Sequence, residues 1–375
     1  MTSATSATTR STGSRIVRYK FVDYGERFDP VPDTLVLDVG MKTVPGVIDH
    51  HQPDAEPECA TSLVAKYPRL VLDHIAAAGP NTAPNGAPDA APLTIVTHRL
   101  PDFDSLAAIY LSLKVLETGG IDPGLQKIAA YAKLVDSAAL PKTIDLSGTP
   151  YALLRAMFSG SKKSEDENNR ERLEEGLKFM RALHALASAG GEILEDPRLF
   201  AGIDRYDRAR RKVKGDYTTY LSDLVRSKPF RVDLPTSGSL PSRLTVDGLL
   251  VTNPRSFLLK EWAHRDREHP PLGEGYSFVV SNFGNSHYGL GVDPTRGVYL
   301  RGLGERLNLR ERDKRRTTGA PDGRDWYEGN CPLFDYRIIV SPQGDTILTA
   351  AEIMEEVLAF GGGRFLEKRS GSAGN

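Results

Sequence analysis

Short apolar runs that stop abruptly at acidic or imidazole side chains set the pattern of the first 150 positions. Thr34–Asp38, Gly46–Ile48 and Leu93–Thr97 are runs of Val, Ile and Leu of strand length. Runs of this kind mark strands buried on both faces. Arg15–Val22 is also strand-like. Ala60–Tyr67 and Val71–Ala78 predict helices, the first opened by Thr61-Ser62. Ser105–Glu117 places Leu106, Ile109, Tyr110, Leu113 and Leu116 at helical spacing and ends at Gly119-Gly120. Leu125–Val135 predicts another helix. Strands alternating with helices predict an α/β fold with a mostly parallel sheet and flanking helices.

Beyond residue 158 the pattern changes. Ser159–Asn169 is polar, lacks an apolar run and reads as a mobile loop. Arg170–Ala189 predicts a long helix with Leu173, Leu177, Met180, Leu183 and Leu186 on one face. Tyr206–Val225 predicts a second, whose basic stretch Arg208–Lys214 reads as a solvated face. From about residue 230, Arg243–Thr252, Tyr276–Ser281, Tyr288–Val292, Gly297–Leu300 and Tyr336–Val340 are β-like, and Ala350–Leu358 is helical. The expected organisation is a disordered tail over 1–14, an α/β domain over 15–158 and a helical connector over 159–229. A smaller α+β domain over 230–365 and a disordered tail over 366–375 complete it.

Composition narrows the class. With 375 residues, 39% hydrophobic and 26% charged, the chain reads as a soluble globular protein of two domains. A net charge of −1 supplies no global pull towards long nucleic acid. No run approaches the roughly 20 apolar residues that span a bilayer, so no membrane partner is expected. Cys59 and Cys331 give no disulfide framework and suit a reducing cytoplasm. The Thr/Ser/Ala-rich start lacks the apolar core of a signal peptide.

The candidate chemistry lies where the strands end. Asp38, Asp49, His50 and His51 follow two apolar runs, and His98, Asp102 and Asp104 follow a third. Ligands in open α/β sheets collect at the carboxyl ends of strands. Carboxylates with one or two imidazoles suit Mn²⁺, with Mg²⁺, Co²⁺ or Zn²⁺ as alternatives. The donor count suits two ions, which at roughly 3.5–4 Å apart can clamp the attacking and leaving oxygens of a displacement at phosphorus. Asp38 is the natural bridge. His74 and His184 sit in helical stretches and read as surface or internally satisfied histidines, and Cys59 as a small residue at a helix start.

At these residues the chain resembles the DHH phosphoesterase superfamily. The triplet Asp49-His50-His51 matches the motif that names it, and His98-Arg99-Leu100-Pro101-Asp102-Phe103-Asp104-Ser105 matches its His-x-x-x-Asp-x-Asp motif. Asp38 fits the lone strand-end aspartate, and Asp136 in Leu134-Val135-Asp136-Ser137 fits the aspartate that follows a helix. Here the His-x-x-x-Asp-x-Asp motif follows the triplet by about fifty residues, whereas in the superfamily it precedes it, so the motif order looks circularly permuted. Chain order is immaterial to a cluster that needs only adjacent strand ends, and permutation succeeds at exposed loops. Gly79–Pro88 has the composition of a joining linker.

The resemblance implies a two-metal phosphoesterase. His98, Asp102 and Asp38 would hold one ion; Asp104, Asp38, His50 and Asp136 would hold the other. His51 would act on phosphoryl oxygens or the leaving group, with Asp49 orienting a histidine. It also implies a small C-terminal domain that closes over the metals, although the superfamily's glycine-rich, histidine-containing signature has only a partial match around His287. Arg315, Arg316 and Arg324, followed by Trp326-Tyr327, read either as phosphate forks beside a base-stacking platform or as an exposed basic loop whose Trp and Tyr pack on their own domain. The segment between them, Thr317–Gly323, reads as a flexible lid. The expected activity is hydrolysis of a phosphodiester or phosphoanhydride in a short oligonucleotide, dinucleotide or other small phosphate-containing substrate. The alternative is a catalytically silent nucleotide- or metal-binding regulator of the same fold.

Overall fold

The computed structural model describes residues 7–12, 15–77, 92–160, 163–196, 198–237, 242–284, 286–342 and 346–367. The linker expected over 79–88 lies outside them. The chain divides into two compact units. The first runs through Arg211 and includes Cys331–Leu333; the second comprises the remainder from Lys212. The helical stretch expected as a connector over 159–229 is therefore shared between the units, with the boundary inside a helix.

In the first unit the strands are β1 (Ala7–Thr12), β2 (Arg15–Val22), β3 (Thr34–Leu37), β4 (Thr43–Val44), β5 (Val47–Ile48) and β6 (Leu93–His98). The helices are α1 (Ala60–Lys66), α2 (Arg69–Ala77), α3 (Phe103–Thr118), α4 (Pro123–Asp136), α5 (Pro150–Phe158) and α6 (Glu165–Ser188), and α7 (Asp204–Arg226) begins here and continues in the second unit from Lys212. The sheet order is β1-β2-β6-β3-β5-β4. Strands β2, β6, β3 and β5 run parallel, flanked by antiparallel β1 and β4. Leu35, Leu37, Val47, Ile48 and Ile95 are fully buried, which is why Val, Ile and Leu dominate their runs. The expected α/β class is observed.

Two expectations are corrected in this unit. Ala7–Thr12, placed in a disordered tail, forms β1 and covers the outer edge of β2, which would otherwise present unpaired backbone groups. Ser159–Asn169, expected as a loop, contains the first turn of α6. Ser164 caps that helix with a reciprocal Glu167 contact, and Glu165, Asp166 and Glu167 sit where the helix dipole favours acids. These turns carry few buried side chains, so apolar spacing is silent there.

The second unit holds β7 (Lys228–Pro235), β8 (Arg243–Thr252), α8 (Leu259–Arg265), β9 (Phe278–Gly284), β10 (His287–Val292), α9 (Leu303–Thr318), β11 (Ile338–Val340), α10 (Ala350–Gly361) and β12 (Arg364–Phe365). Its sheet order is β11-β10-β9-β8-β7-β12, antiparallel except between β8 and β9. Phe230, Phe278, Leu290, Leu307, Trp326 and Ile353 belong to its core. Gly297–Leu300, expected as a strand, contributes only an isolated bridge from Val298 to Thr236. Leu366, expected to begin a disordered tail, donates its backbone N–H to Pro229 O at 2.9 Å.

Candidate metal centre

Four parallel strands of the first unit end side by side, and each delivers a functional group just past its last residue. Val22 of β2 pairs with His98 of β6, and Leu37 of β3 pairs with Ile48 of β5. Register alone therefore brings Tyr24, His98, Asp38 and Asp49–His51 to one rim.

Asp38 follows β3 with φ +61°, a left-handed backbone that aspartate tolerates better than most residues. Its N–H donates to Ile48 O at 2.9 Å, locking the end of β3 to β5. The chain then turns through Gly40, where a Cβ would meet Val47 Cγ1 at 2.6 Å. That turn brings the Met41 N–H to Asp49 Oδ2 at 2.6 Å. Asp49 also accepts from the His50 N–H at 2.8 Å and lies 2.6 Å from His51 Nδ1. With these donors around it, Asp49 acts chiefly on the orientation of His51. Burial works against the Asp49 charge, but His51 and His50 hold its carboxyl below the usual range.

His98 lies 2.8 Å from the Arg99 carbonyl through Nδ1, so that nitrogen carries a proton. Its Nε2 faces Asp38 Oδ2 at 3.2 Å and Asp102 Oδ1 at 3.8 Å. The Tyr24 ring stacks on the imidazole with centroids 4.1 Å apart. Asp102 caps α3 and accepts from the Ser105 N–H at 3.1 Å. Between these two donors Leu100 adopts φ +52°, a strained conformation for a bulky side chain. Helix α6 holds it there: the Leu100 N–H donates to buried Asn169 Oδ1 at 2.5 Å, and Arg172 Nη1 donates to Leu100 O at 3.4 Å. Leu100→Gly is expected to leave thermal stability unchanged or raise it by up to about 1 kcal/mol, because the left-handed strain exceeds the entropic cost of glycine. It should also weaken Mn²⁺ binding by loosening the path to Asp102. Calorimetry and thermal unfolding of the same variant test the pair, and tighter binding would contradict it.

Asp104, in the first turn of α3, accepts from the Ala60 and Thr61 N–H groups at 2.8 and 3.1 Å, so the N-terminus of α1 fixes its carboxylate. His50 is buried, with Nε2 at 3.3 Å from Asp38 Oδ1, 3.3 Å from Asp136 Oδ2 and 3.9 Å from Asp104 Oδ2. Asp136 closes α4. All eight strand-end and helix-end residues expected at the site thus belong to three overlapping groups: Asp38, Asp49, His50 and His51; Asp38, His98 and Asp102; His50, Asp104 and Asp136. Within each group one ligand atom per residue lies within 4.8 Å of the others.

The electrostatics fit a cation. Asp38 Oδ1 and Asp136 Oδ2 are buried without a hydrogen bond. Burial and the neighbouring Asp38 charge raise the Asp104 carboxyl to about 6. Burial raises the Asp136 carboxyl well above its ordinary value, with His50 opposing. Burial works against the His98 charge, but the hydrogen bonds and charges of Asp102 and Asp38 hold it up to about 10. In the metal-free protein, protons supply positive charge that a divalent ion would replace. These clusters can hold a metal ion.

No family model, curated protein or solved structure matches this chain.

The four residues expected to bind substrate lie in the second unit. Arg315 is buried and bound to Glu311 Oε1 at 2.8 Å and to Pro321 O at 2.7 Å. Arg316 pairs with Asp313 at 2.6 Å on the surface, and Arg324 lies on the exposed segment after α9. His287 packs against Phe283 with centroids 5.4 Å apart. Trp326 is 3% exposed and its indole N–H reaches Glu311 Oε2 at 3.3 Å, so the aromatic platform expected beside these arginines is core. Most of the supposed basic loop is α9, whose Arg306, Arg310 and Lys314 pair with Glu356, Glu355 and Glu352 of α10. His74 and His184 are satisfied, the first by the Val31 and Thr34 carbonyls and the second by Tyr110 and Asp122.

Sequence reasoning missed Tyr24, Asn169 and both cysteines. Tyr24 lies two residues past β2 and was open to the same strand-end rule. Cys59 caps α1 with its thiol on Asp104, and the Cys331 thiol bonds His50. Nothing in their local sequence signals either contact.

Proposed function

We propose that this protein is a metal-dependent phosphoesterase of the DHH type, hydrolysing a phosphodiester or phosphoanhydride in a short nucleotide substrate. The observation that carries the reading is Asp38, one carboxylate whose two oxygens face two different imidazoles, His50 at 3.3 Å and His98 at 3.2 Å. That is the placement of a bridge between two ion positions. His98, Asp102 and Asp38 would hold one ion, and Asp38, His50, Asp104 and Asp136 the other. Bound Mn²⁺, or Mg²⁺ or Co²⁺ in its place, would supply Lewis acidity that acidifies water and neutralises charge at phosphorus.

The protein's own groups divide the remaining tasks. His51 is held by Asp49 through Nδ1, and its side chain is 17% exposed, which supports a role for it beside a phosphoryl oxygen or a leaving group. Tyr24 shields one face of His98 from water. The N–H groups of Ala60 and Thr61 keep Asp104 from turning away.

The test is hydrolysis of bis-p-nitrophenyl phosphate and of an RNA dinucleotide, with and without Mn²⁺, beside an Asp104→Asn control. Turnover that requires Mn²⁺ and falls by on the order of 10³ in the control supports the reading. Mn²⁺ binding without turnover on these substrates, on pyrophosphate or on polyphosphate would replace it with the silent regulatory protein.

A further inference from the structure

The first unit holds a second concavity that begins one residue past the Asp-His-His triplet. A cavity of about 710 Å³ is walled by the Met41–Pro45 turn, by Gln52 and by the corner where α1 meets α2. This volume falls within the range of small-molecule sites. Val44, Pro45, Leu63, Pro68 and Leu70 give it an apolar lining. The basic side chains at its rim are each paired with a carboxylate, Lys66 with Glu56 at 2.5 Å, Arg69 with Asp73 at 3.1 Å, and Lys42 with Asp29 outside the cavity at 2.6 Å, and Asp54 adds a further carboxylate. Such a rim offers no unpaired cation to a phosphate and suits a neutral group.

Among the polar lining residues, Gln52 is the buried amide. Gln52 is 7% exposed, and its Nε2 donates to Thr43 Oγ1 at 3.0 Å and to Asp49 O at 3.1 Å. A backbone carbonyl only accepts, so the amide cannot be turned round. Its Oε1 is consequently left buried with no hydrogen bond. Among the described residues this acceptor has no donor, and a bound molecule that supplies one would satisfy it.

We propose that this cavity is the base subsite of the nucleotide substrate and takes a nucleobase bearing an exocyclic amine: adenine, cytosine or guanine rather than uracil or hypoxanthine. The apolar walls suit the two faces of a planar ring, and Gln52 Oε1 accepts from the amine. Because its donor end is already occupied, Gln52 reads a base by acceptance alone. Uracil and hypoxanthine carry a carbonyl oxygen where cytosine and adenine carry the amine, and their one edge donor is the adjacent ring N–H. Gln52 follows His51 directly in the chain and bonds the Asp49 carbonyl, which ties the wall of this cavity to the triplet and suggests a phosphoryl group at His51 for a base seated here. The placement of that phosphoryl group rests on the phosphoesterase reading; recognition of the base does not.

The experiment uses the full chain, with and without Mn²⁺, and measures binding of adenosine, inosine and purine riboside by calorimetry and ligand-observed NMR. Adenosine is expected to bind at least about ten-fold more tightly than purine riboside, which lacks only the amine, and than inosine, which carries a carbonyl there and a proton on N1. Gln52→Met should erase that preference. Leu70→Trp, which fills the cavity and leaves Gln52 in place, should abolish adenosine binding with the unfolding midpoint retained. Equal affinities, no adenosine binding, or adenosine binding that survives Leu70→Trp would overturn the proposal. Adenosine binding without hydrolysis of any phosphoester would fail the phosphoesterase reading alone. Hydrolysis with no preference among bases would fail the base subsite alone.

Discussion

Asp38→Asn is expected to lower Mn²⁺-dependent phosphodiester hydrolysis by about three orders of magnitude or more while the chain stays cooperatively folded. The expectation follows from Asp38's place between two imidazoles, His50 and His98. Asparagine preserves shape but removes the negative charge and one of two equivalent oxygens, so neither proposed ion keeps its full set of donors. A loss of about 4 kcal/mol in transition-state stabilisation corresponds to roughly a thousand-fold in rate. Far-UV circular dichroism and urea unfolding in metal-free buffer check the fold, and initial rates across a Mn²⁺ titration check the chemistry. Activity within ten-fold of the parent protein would remove Asp38 as a bridge.

The second large effect is on stability. Mn²⁺ at about 100 times its dissociation constant should stabilise the first unit by roughly 2.7 kcal/mol, which for a unit of this size raises Tm by about 5–10 °C. The same cluster sets a pH dependence. His98, held up to about 10, favours the folded metal-free state fully below the unfolded imidazole value near 6.5 and loses that contribution as pH rises through 10. Metal and proton compete for Nε2, so apparent Mn²⁺ affinity should increase as pH rises towards 10. Binding at pH 7 should release roughly one proton per coordinating imidazole. Calorimetry in buffers of different ionisation enthalpy measures the release. A Tm that ignores Mn²⁺, together with no proton release, would refute the metal centre.

What the sequence made legible was whatever burial forces on it. A parallel strand covered on both faces must be apolar throughout, so the runs ending at Asp38, Ile48 and His98 were visible, and with them the donors at their ends. Asp136 joined them although its motif was weak, because the length of α4 carries its last residue to His50. Contacts made by chance of three-dimensional neighbourhood were not visible. The arginines of α9 read as a free basic patch because their acidic partners lie some forty to fifty residues further along, on α10. Trp326 looked available for stacking because nothing local shows that Glu311 and the core of the second unit enclose it. Cys331 reaches His50 from nearly 300 residues away, a distance over which spacing carries no signal.

Leu100 marks a point where endurance and accuracy would be selected in opposite directions. A lineage favoured only for persistence would drift there to glycine and shed the steric penalty of the left-handed backbone. A lineage favoured for its chemistry would keep a bulky residue pinned by Asn169 and accept a less durable protein. Variation at this one position, between two candidate metal ligands, would therefore record which demand had prevailed.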